Sequence, residues 1–212
     1  LSLDNIDLCG VHFHIGSQIT ETGPFVLLCK KVGEILDRMK ALGAEITIVD
    51  MGGGFGIDYD DPDGNPIPDF EHYFAVFRDN LQLSPDQELH FEPGRSIVGQ
   101  CGSLITRVLY VKEGTAKKFA IVDAGMTDLI RPALYQAHHK IENISSTSAV
   151  DDVYDVVGPI CESSDSFGTD ERLPLVQRGD FLALRSAGAY GEIMASTYNC
   201  RRLPGSVFST DL

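Results

Sequence analysis

A short apolar run at 46–51 passes directly into the glycine turn DMGGGFG, residues 50–56. The strand-like segment before it ends in GVHFHIGSQ (10–18), and the one after it ends in EPGR (92–95). Between these segments, apolar residues recur at three and four positions over two stretches, 24–42 and 70–81, which is the helical period. The order strand, helix, strand, helix, strand indicates a parallel α/β sheet, whose strand ends and turns collect at one face.

The composition changes after about Gly102, where short β-branched segments separated by turns predict a mostly antiparallel all-β domain. These segments are 103–111, 118–123, 154–160 and 181–186, with one short helix around 132–138. We therefore predict two domains, a partial βα barrel over 1–102 and a C-terminal β-domain over 103–212. Because a closed eight-stranded barrel needs ~250 residues, most of the barrel is expected to be missing. The first residue, Leu1, leads almost at once into a strand, so the chain is expected to be cut there.

The net charge of −14 and the pI near 4.7 argue against nucleic acid as a partner. No apolar run approaches the roughly 18 residues that cross a bilayer, so we expect no membrane partner and a cytoplasmic location. The five cysteines are scattered without a CxxC pair, which predicts neither a disulfide framework nor a metal site. Most of these thiols are expected to be reduced and buried.

The three turns carry groups that suit a planar, phosphorylated ligand. His12 and His14 share one face of a strand, and Ser17 offers a hydroxyl at its end. The glycines at 52–54 let the backbone approach an anion closely, although their spacing matches neither a dinucleotide-binding motif nor a P-loop. Structural histidines, a tight surface turn or a surface salt bridge at EPGR would each explain one motif alone. Three such turns at successive strand ends favour a binding site.

Six motifs in order give the chain a resemblance to a known family: GVHFHIGSQ, DMGGGFG, EPGR, DAGMTDLIRPALY (123–135), CESSD (161–165) and GAYG (188–191). They resemble the fold-type III decarboxylases that use pyridoxal phosphate, and within them the diaminopimelate decarboxylases most. The resemblance implies the last βα units of an alanine-racemase-like (βα)8 barrel followed by a β-domain. It also implies a homodimer with shared active sites and the decarboxylation of meso-diaminopimelate to L-lysine and CO2.

The resemblance places the cofactor pyridoxal 5'-phosphate at the strand ends. His14 would stack on the pyridine ring, and Glu92 would pair with the ring nitrogen; both are expected to be catalytic. The phosphate would be held at the turns by Ser17, Gly54, Gly94 and Arg95. The family's covalent cofactor lysine lies upstream of all these motifs, so none of the seven lysines of this chain is assigned that role.

The resemblance further implies a substrate site. The distal, non-reacting end of the substrate would be gripped by Arg95, Arg131 and Tyr135. Tyr190, in GAYG, would reach the phosphate or the substrate. Cys161 and Glu162 would extend into the partner subunit's site, with Cys161 as the proton donor, since a thiol of tunable pKa suits a general acid.

Alternatives remain at the level of the substrate and of activity itself. Related decarboxylases act on ornithine, arginine or carboxynorspermidine, but a site with two arginines favours a substrate with a second carboxylate. A non-catalytic, truncated homologue is the second alternative. In either case the 212-residue chain alone is expected to be inactive.

Overall fold

The computed structural model describes residues 4–211, which fold as two compact units. The first unit comprises the residues up to Ile57 together with Ile67–Ile97. The second comprises Asp58–Pro66 together with the residues from Val98 onward. An α/β region followed by an all-β region confirms the predicted fold class, and the predicted boundary at residue 102 stays a prediction.

The first unit contains a three-stranded, fully parallel sheet. Its strands are β1 (Gly10–His12), β2 (Ile48–Asp50) and β3 (Glu88–His90), and β2 lies in the centre. Strand β2 is shorter than the apolar run at 46–51 that predicted it. The pairing of β2 ends where Gly52 adopts a left-handed φ of 68°, which turns the chain out of the strand direction.

Helices α1 (Gly23–Ala41) and α2 (Phe70–Asn80) connect the three strands. A proline within the first turn suits the start of α1, and the Asp69 side chain caps α2 by accepting from the His72 N–H at 2.9 Å. The buried faces of these helices and the sheet form one core, centred on Phe25, Val32, Val49, Met51, Tyr73 and Phe77. The helical periodicity at 24–42 and 70–81 therefore predicted both helices within two residues.

The second unit is a six-stranded sheet with the order β6-β9-β4-β5-β7-β8. The strands are β4 (Leu104–Glu113), β5 (Lys118–Val122), β6 (Ile141–Asn143), β7 (Asp151–Val157), β8 (Ser166–Pro174) and β9 (Phe181–Leu184). Among these six strands, only β5 and β7 pair in parallel. The edge strands β6 and β8 come close together, so the sheet is a nearly closed barrel around its own core.

Two short helices border these elements. Helix α3 (Arg95–Val98) follows β3, and α4 (Arg131–Tyr135) lies between β5 and β6. No helix among residues 4–211 is long and apolar enough to cross a membrane.

Candidate functional site

The glycine turn after β2 is fixed by its neighbours in the first unit. A Cβ on Gly52 would lie 2.0 Å from the carbonyl oxygen of Phe13, and a Cβ on Gly53 would lie 2.4 Å from that of Glu92. Contacts this short are not available to a real side chain. The turn is therefore glycine because the backbones that extend β1 and β3 pass directly against it.

Backbone hydrogen bonds hold the three strand ends in that arrangement. Phe13 N donates to Asp50 O at 3.0 Å, and Glu92 N donates to Gly52 O at 2.9 Å. Gly54 has a φ of 106° and its carbonyl accepts from Ile19 N at 2.9 Å. The loop after β1 is thereby tied to the glycine turn, which places the predicted phosphate-binding segments side by side.

Glu92 is oriented by His12, which the sequence placed at this strand end without a defined role. The Nε2 atom of His12 lies 2.9 Å from a carboxylate oxygen of Glu92, and about half of each side chain is exposed. Asp50 is close by, because one ligand atom from each of His12, Asp50 and Glu92 lies within 4.8 Å of the others. Asp50 Oδ1 also accepts from Gly52 N at 2.8 Å, which ties this carboxylate to the glycine turn.

Ser17 and Arg95 meet at the same edge of the sheet. Arg95 Nη2 donates to Ser17 Oγ at 3.0 Å, so a guanidinium and a hydroxyl lie next to each other. Gly94 precedes Arg95 and its carbonyl accepts from Ile97 N at 3.0 Å, which begins the turn of α3. His14 is exposed to solvent one residue beyond Phe13. Hydroxyl and guanidinium donors together suit a phosphate group.

The second unit buries Arg131, the predicted substrate-binding arginine. Its side chain is at the start of α4, and the residue is only 5% exposed. Nη1 of Arg131 lies 2.7 Å from His139 Nε2, and its guanidinium carbon lies 4.7 Å from the centre of the Tyr59 ring. Tyr135, one turn later on the same helix, is 61% exposed. The two residues of α4 predicted to grip the substrate thus differ sharply in burial.

Cys161 and Glu162 lie in an exposed loop that is anchored by Asp165. The Asp165 carboxylate is buried and accepts from Met126 N and from Ile160 N, each at 2.6 Å. Burial raises the pKa of Asp165, and the two N–H groups oppose that shift. The motif CESSD contained this residue, but a role for it was not predicted.

Glu162 has a partner that sequence reasoning missed. The hydroxyl of Tyr198 donates to Glu162 Oε1 at 2.5 Å, and this carboxylate raises the pKa of the exposed tyrosine. The two residues are 36 positions apart, and no sequence pattern joined them.

The GAYG motif forms a tight turn within the second unit. A Cβ on Gly188 would lie 2.0 Å from Val98 O, and one on Gly191 would lie 2.3 Å from Ala187 O. Between them Tyr190 adopts a left-handed φ of 57° and is 43% exposed. The glycines are required by the turn, and the turn presents the tyrosine ring at the surface.

The expectation that most cysteines are buried is wrong. Cys9, Cys101, Cys161 and Cys200 are exposed, and among the described residues only Cys29 is a buried cysteine. Burial raises the pKa of the Cys29 thiol to about 11, whereas Cys161 lies in a solvent-exposed loop. None of the five forms a disulfide in the described part of the chain. Cys161 is therefore accessible to solvent.

The predicted residues are divided between the two units. At the sheet edge of the first unit are Ser17, Gly54, Glu92, Gly94 and Arg95, together with His12 and the nearby His14. The second unit contains the remaining predicted residues, which are Arg131, Tyr135, Cys161, Glu162 and Tyr190.

Comparison with known proteins gives consistent results. The profile of the family described as pyridoxal-dependent decarboxylase, C-terminal sheet domain, matches residues 13–188. A diaminopimelate decarboxylase of Bacteroides thetaiotaomicron is 59% identical over all 212 residues, which cover 100% of this chain and 55% of that protein. The diaminopimelate decarboxylase of Vibrio cholerae is 45% identical over 200 residues, covering 94% of this chain and 47% of its own.

Solved structures have the same fold, and some of them are also similar in sequence. The crystal structure of the Helicobacter pylori diaminopimelate decarboxylase complexed with L-lysine matches with a TM-score of 0.82 and 43% identity, over 93% of this chain and 48% of that one. A lysine/ornithine decarboxylase from Vibrio vulnificus matches with a TM-score of 0.83 over 94% of this chain and 54% of its own, but at 23% identity it supports the fold alone. The chain spans about half the length of the curated relatives that it matches.

Proposed function

We propose, because this chain belongs to the pyridoxal-dependent decarboxylase family, that the protein carrying it decarboxylates meso-diaminopimelate to L-lysine and CO2. The relatives named as diaminopimelate decarboxylases support this substrate, with identities up to 59%. The cofactor would be pyridoxal 5'-phosphate. A homodimer with shared active sites and a cytoplasmic location remain predictions from the sequence.

The residues at the first unit's sheet edge fit such a cofactor. Arg95 and Ser17, joined over 3.0 Å, offer a guanidinium and a hydroxyl to a phosphate. The exposed imidazole of His14 has the planar shape needed to stack on a ring. When bound, pyridoxal phosphate accepts the electron pair that loss of CO2 leaves on the substrate.

The observation that carries the proposal is the orientation of Glu92. A carboxylate held at the end of β3 by His12, at 2.9 Å, is suited to stabilise a protonated ring nitrogen beside it. The hydrogen bond from Glu92 N to Gly52 O also fixes the backbone of Glu92.

The substrate's distal carboxylate would be bound by arginine. A guanidinium can donate two parallel hydrogen bonds to a carboxylate, and Arg131 shares α4 with Tyr135, whose side chain is exposed. A substrate with a basic distal end, such as ornithine, would need a carboxylate in place of this arginine. Arg131 therefore favours diaminopimelate over the basic amino acids.

Cys161 would hold the proton that is delivered to the α-carbon after CO2 leaves. Its loop is exposed and is held by the buried carboxylate of Asp165, which accepts from the backbone N–H of Ile160. The neighbouring Glu162 is oriented by Tyr198. Glu162 would help to place the substrate next to that thiol.

A decarboxylation assay on the full-length protein with its cofactor tests the proposal. CO2 release is expected from meso-diaminopimelate and not from ornithine or arginine. The Glu92→Gln variant should lose about ten- to a thousandfold in kcat, because a carboxylate partner shifts a neighbouring pKa by roughly 1–3 units and each unit is tenfold in the protonated fraction.

The matched control is Glu88→Gln. Glu88 begins the same strand and its carboxylate pairs with His90 at 3.1 Å, as Glu92 pairs with His12, but it lies at the opposite end of β3. This variant should keep wild-type kcat. Release of CO2 from ornithine but not from diaminopimelate would refute the substrate, and equal losses in both variants would refute the role of Glu92.

A further inference from the structure

His139 has a single arrangement of its ring proton. Its Nδ1 atom lies 2.8 Å from the backbone carbonyl of Arg185, and a carbonyl oxygen can only accept. Nδ1 therefore carries the hydrogen. In the neutral ring Nε2 then has the lone pair, and it accepts from Nη1 of Arg131 at 2.7 Å.

The burial of this pair makes the neutral ring necessary. His139 is 0% exposed and Arg131 is 5% exposed. A protonated His139 would set a second cation 2.7 Å from the guanidinium and would leave Nη1 facing another donor. The Nδ1 bond to the Arg185 carbonyl thus determines that Nε2 is an acceptor for Arg131.

Two basic side chains close to His139 in the structure or the sequence, Arg185 and Lys140, have acidic partners of their own. The side chain of Arg185 is bound to Asp63 at 2.7 Å and to Glu142 at 2.6 Å. The Lys140 ammonium lies 3.3 Å from Glu142 and 3.5 Å from Asp63.

Tyr59 limits the position of the guanidinium on another side. Its ring centre is 4.7 Å from the Arg131 guanidinium carbon, within cation–π range, and 5.0 Å from the His139 ring in an edge-to-face arrangement. Lys140 N donates to the Tyr59 carbonyl at 3.2 Å, which ties the Tyr59 backbone to the residue after His139. Tyr59 and His139 therefore hold the guanidinium between a ring and a hydrogen-bond acceptor.

We propose that His139 is a positioning residue, which fixes Arg131 through its Nε2 lone pair in the orientation that binds the distal carboxylate of the substrate. This inference rests on the proposed function, since it takes Arg131 as the group that recognises that carboxylate. A guanidinium has five N–H donors, so the bond to His139 engages one of them and sets the direction of the others. His139 itself does not contact the substrate.

Two ligands of the full-length holoenzyme separate positioning from folding. L-lysine retains the carboxylate at the end that does not react, and cadaverine is the same chain without it. In His139→Phe the lone pair is lost, so the KM for meso-diaminopimelate and the inhibition constant of L-lysine should each rise about ten- to a hundredfold, the usual worth of a hydrogen bond to a charged group. Inhibition by cadaverine should not change.

Conservative substitutions keep the test valid if the phenylalanine variant fails to fold. In His139→Gln one amide can donate to the Arg185 carbonyl and accept from Arg131, so lysine affinity should recover to within about threefold of wild type. His139→Asn should retain the bond to the carbonyl and lose the acceptor for Arg131, so it should show the weak lysine binding. His138→Gln, the neighbouring exposed histidine, should match wild type.

Arg131→Met distinguishes the two levels of the proposal. If Arg131→Met binds L-lysine as wild type does, the assignment of Arg131 to the distal carboxylate is wrong, and the inference falls with it. If Arg131→Met is defective and folded His139→Asn binds L-lysine normally, the proposed function stands and His139 is not a positioning residue. Equal weakening of lysine and cadaverine in His139→Asn would also overturn the inference.

Discussion

The glycine turn of the first unit and the loop at Cys161 in the second are built in different ways. At 52–54 the backbone itself is pressed against two neighbouring strand ends, with carbonyl oxygens 2.0–2.4 Å from where a Cβ would be. At 161–165 the chain is held by one buried side chain, Asp165, which accepts two backbone N–H groups. The first arrangement depends on the absence of side chains, and the second depends on the chemistry of one.

This difference predicts different responses to mutation. A turn that needs glycine tolerates no substitution, because any Cβ must displace backbone. A loop held by a carboxylate tolerates a substitution to the extent that the new group accepts the same hydrogen bonds. The two regions can therefore be compared through the free energy of unfolding of paired variants.

The largest effect is expected at Gly52. Gly52→Ala places a Cβ 2.0 Å from Phe13 O at a φ of 68°, so strain and steric overlap add. We expect a loss of at least ~3 kcal/mol in the free energy of unfolding, measured by urea denaturation of the full-length protein.

Gly33→Ala in the interior of α1 is the control for that variant. Apart from its chain neighbours and the adjoining backbone of its own helix, no atom lies within 4 Å of its added Cβ, and alanine favours a helix over glycine. A gain of ~0.5–1 kcal/mol is expected. If Gly52→Ala is no more harmful than Gly33→Ala, the close packing of the turn is not what requires glycine.

A smaller effect is expected at Asp165. In Asp165→Asn the amide oxygen still accepts one of the two backbone hydrogen bonds. The amide NH2 group replaces the other oxygen, so a donor then faces the backbone N–H that formed a 2.6 Å bond. The loss at pH 7 should be about 1–3 kcal/mol, the cost of leaving a buried polar group unsatisfied. Asp170→Asn, an exposed partner of Lys117, should change stability by less than ~0.5 kcal/mol.

The pH dependence of the Asp165 variant has a definite sign. The pKa of Asp165 is raised in the folded protein, mainly by burial. The stability that the carboxyl contributes is then fully present at a pH below its unfolded-state pKa of about 3.9. It is lost as the pH rises through its folded-state pKa. The stability difference between wild type and Asp165→Asn should narrow as the pH rises. A difference that widens with pH would show that the two N–H bonds outweigh burial.

The sequence predicted those parts of the fold that depend on periodicity and on glycine. The apolar spacing at 24–42 located α1 (Gly23–Ala41), and the turn at 50–56 marked the end of β2. Strand β8 (Ser166–Pro174) was missed because its sequence, SFGTDERLP, is largely polar and lacks a β-branched run. Strand β6 has only three residues, too few to show a period.

The candidate site was predictable to the extent that its residues stand in motifs. Glu92 and Arg131 could be named from motifs, but their partners could not. His12 was recognised as a candidate at the strand end, but its bond to Glu92 was not predicted. His139 and Tyr198 carried no signal because their partners are brought near only by folding. Exposure of the cysteines was misjudged, since it depends on which loops leave the sheet.

The most direct measurement tests whether the strand ends of the first unit in one subunit and the Cys161 loop in the other subunit form one active site. Glu92→Ala damages the first unit and Cys161→Ala the second. Each full-length variant alone should lose most of its activity: about ten- to a thousandfold without the carboxylate partner of the ring nitrogen, and ~10²–10⁴-fold without the general acid. If each site combines Glu92 of one subunit with Cys161 of the other, a mixed dimer has one site with both lesions and one with neither. Random reassociation should then restore about a quarter of wild-type activity. No recovery, despite confirmed mixed dimers, would contradict a site shared between the subunits.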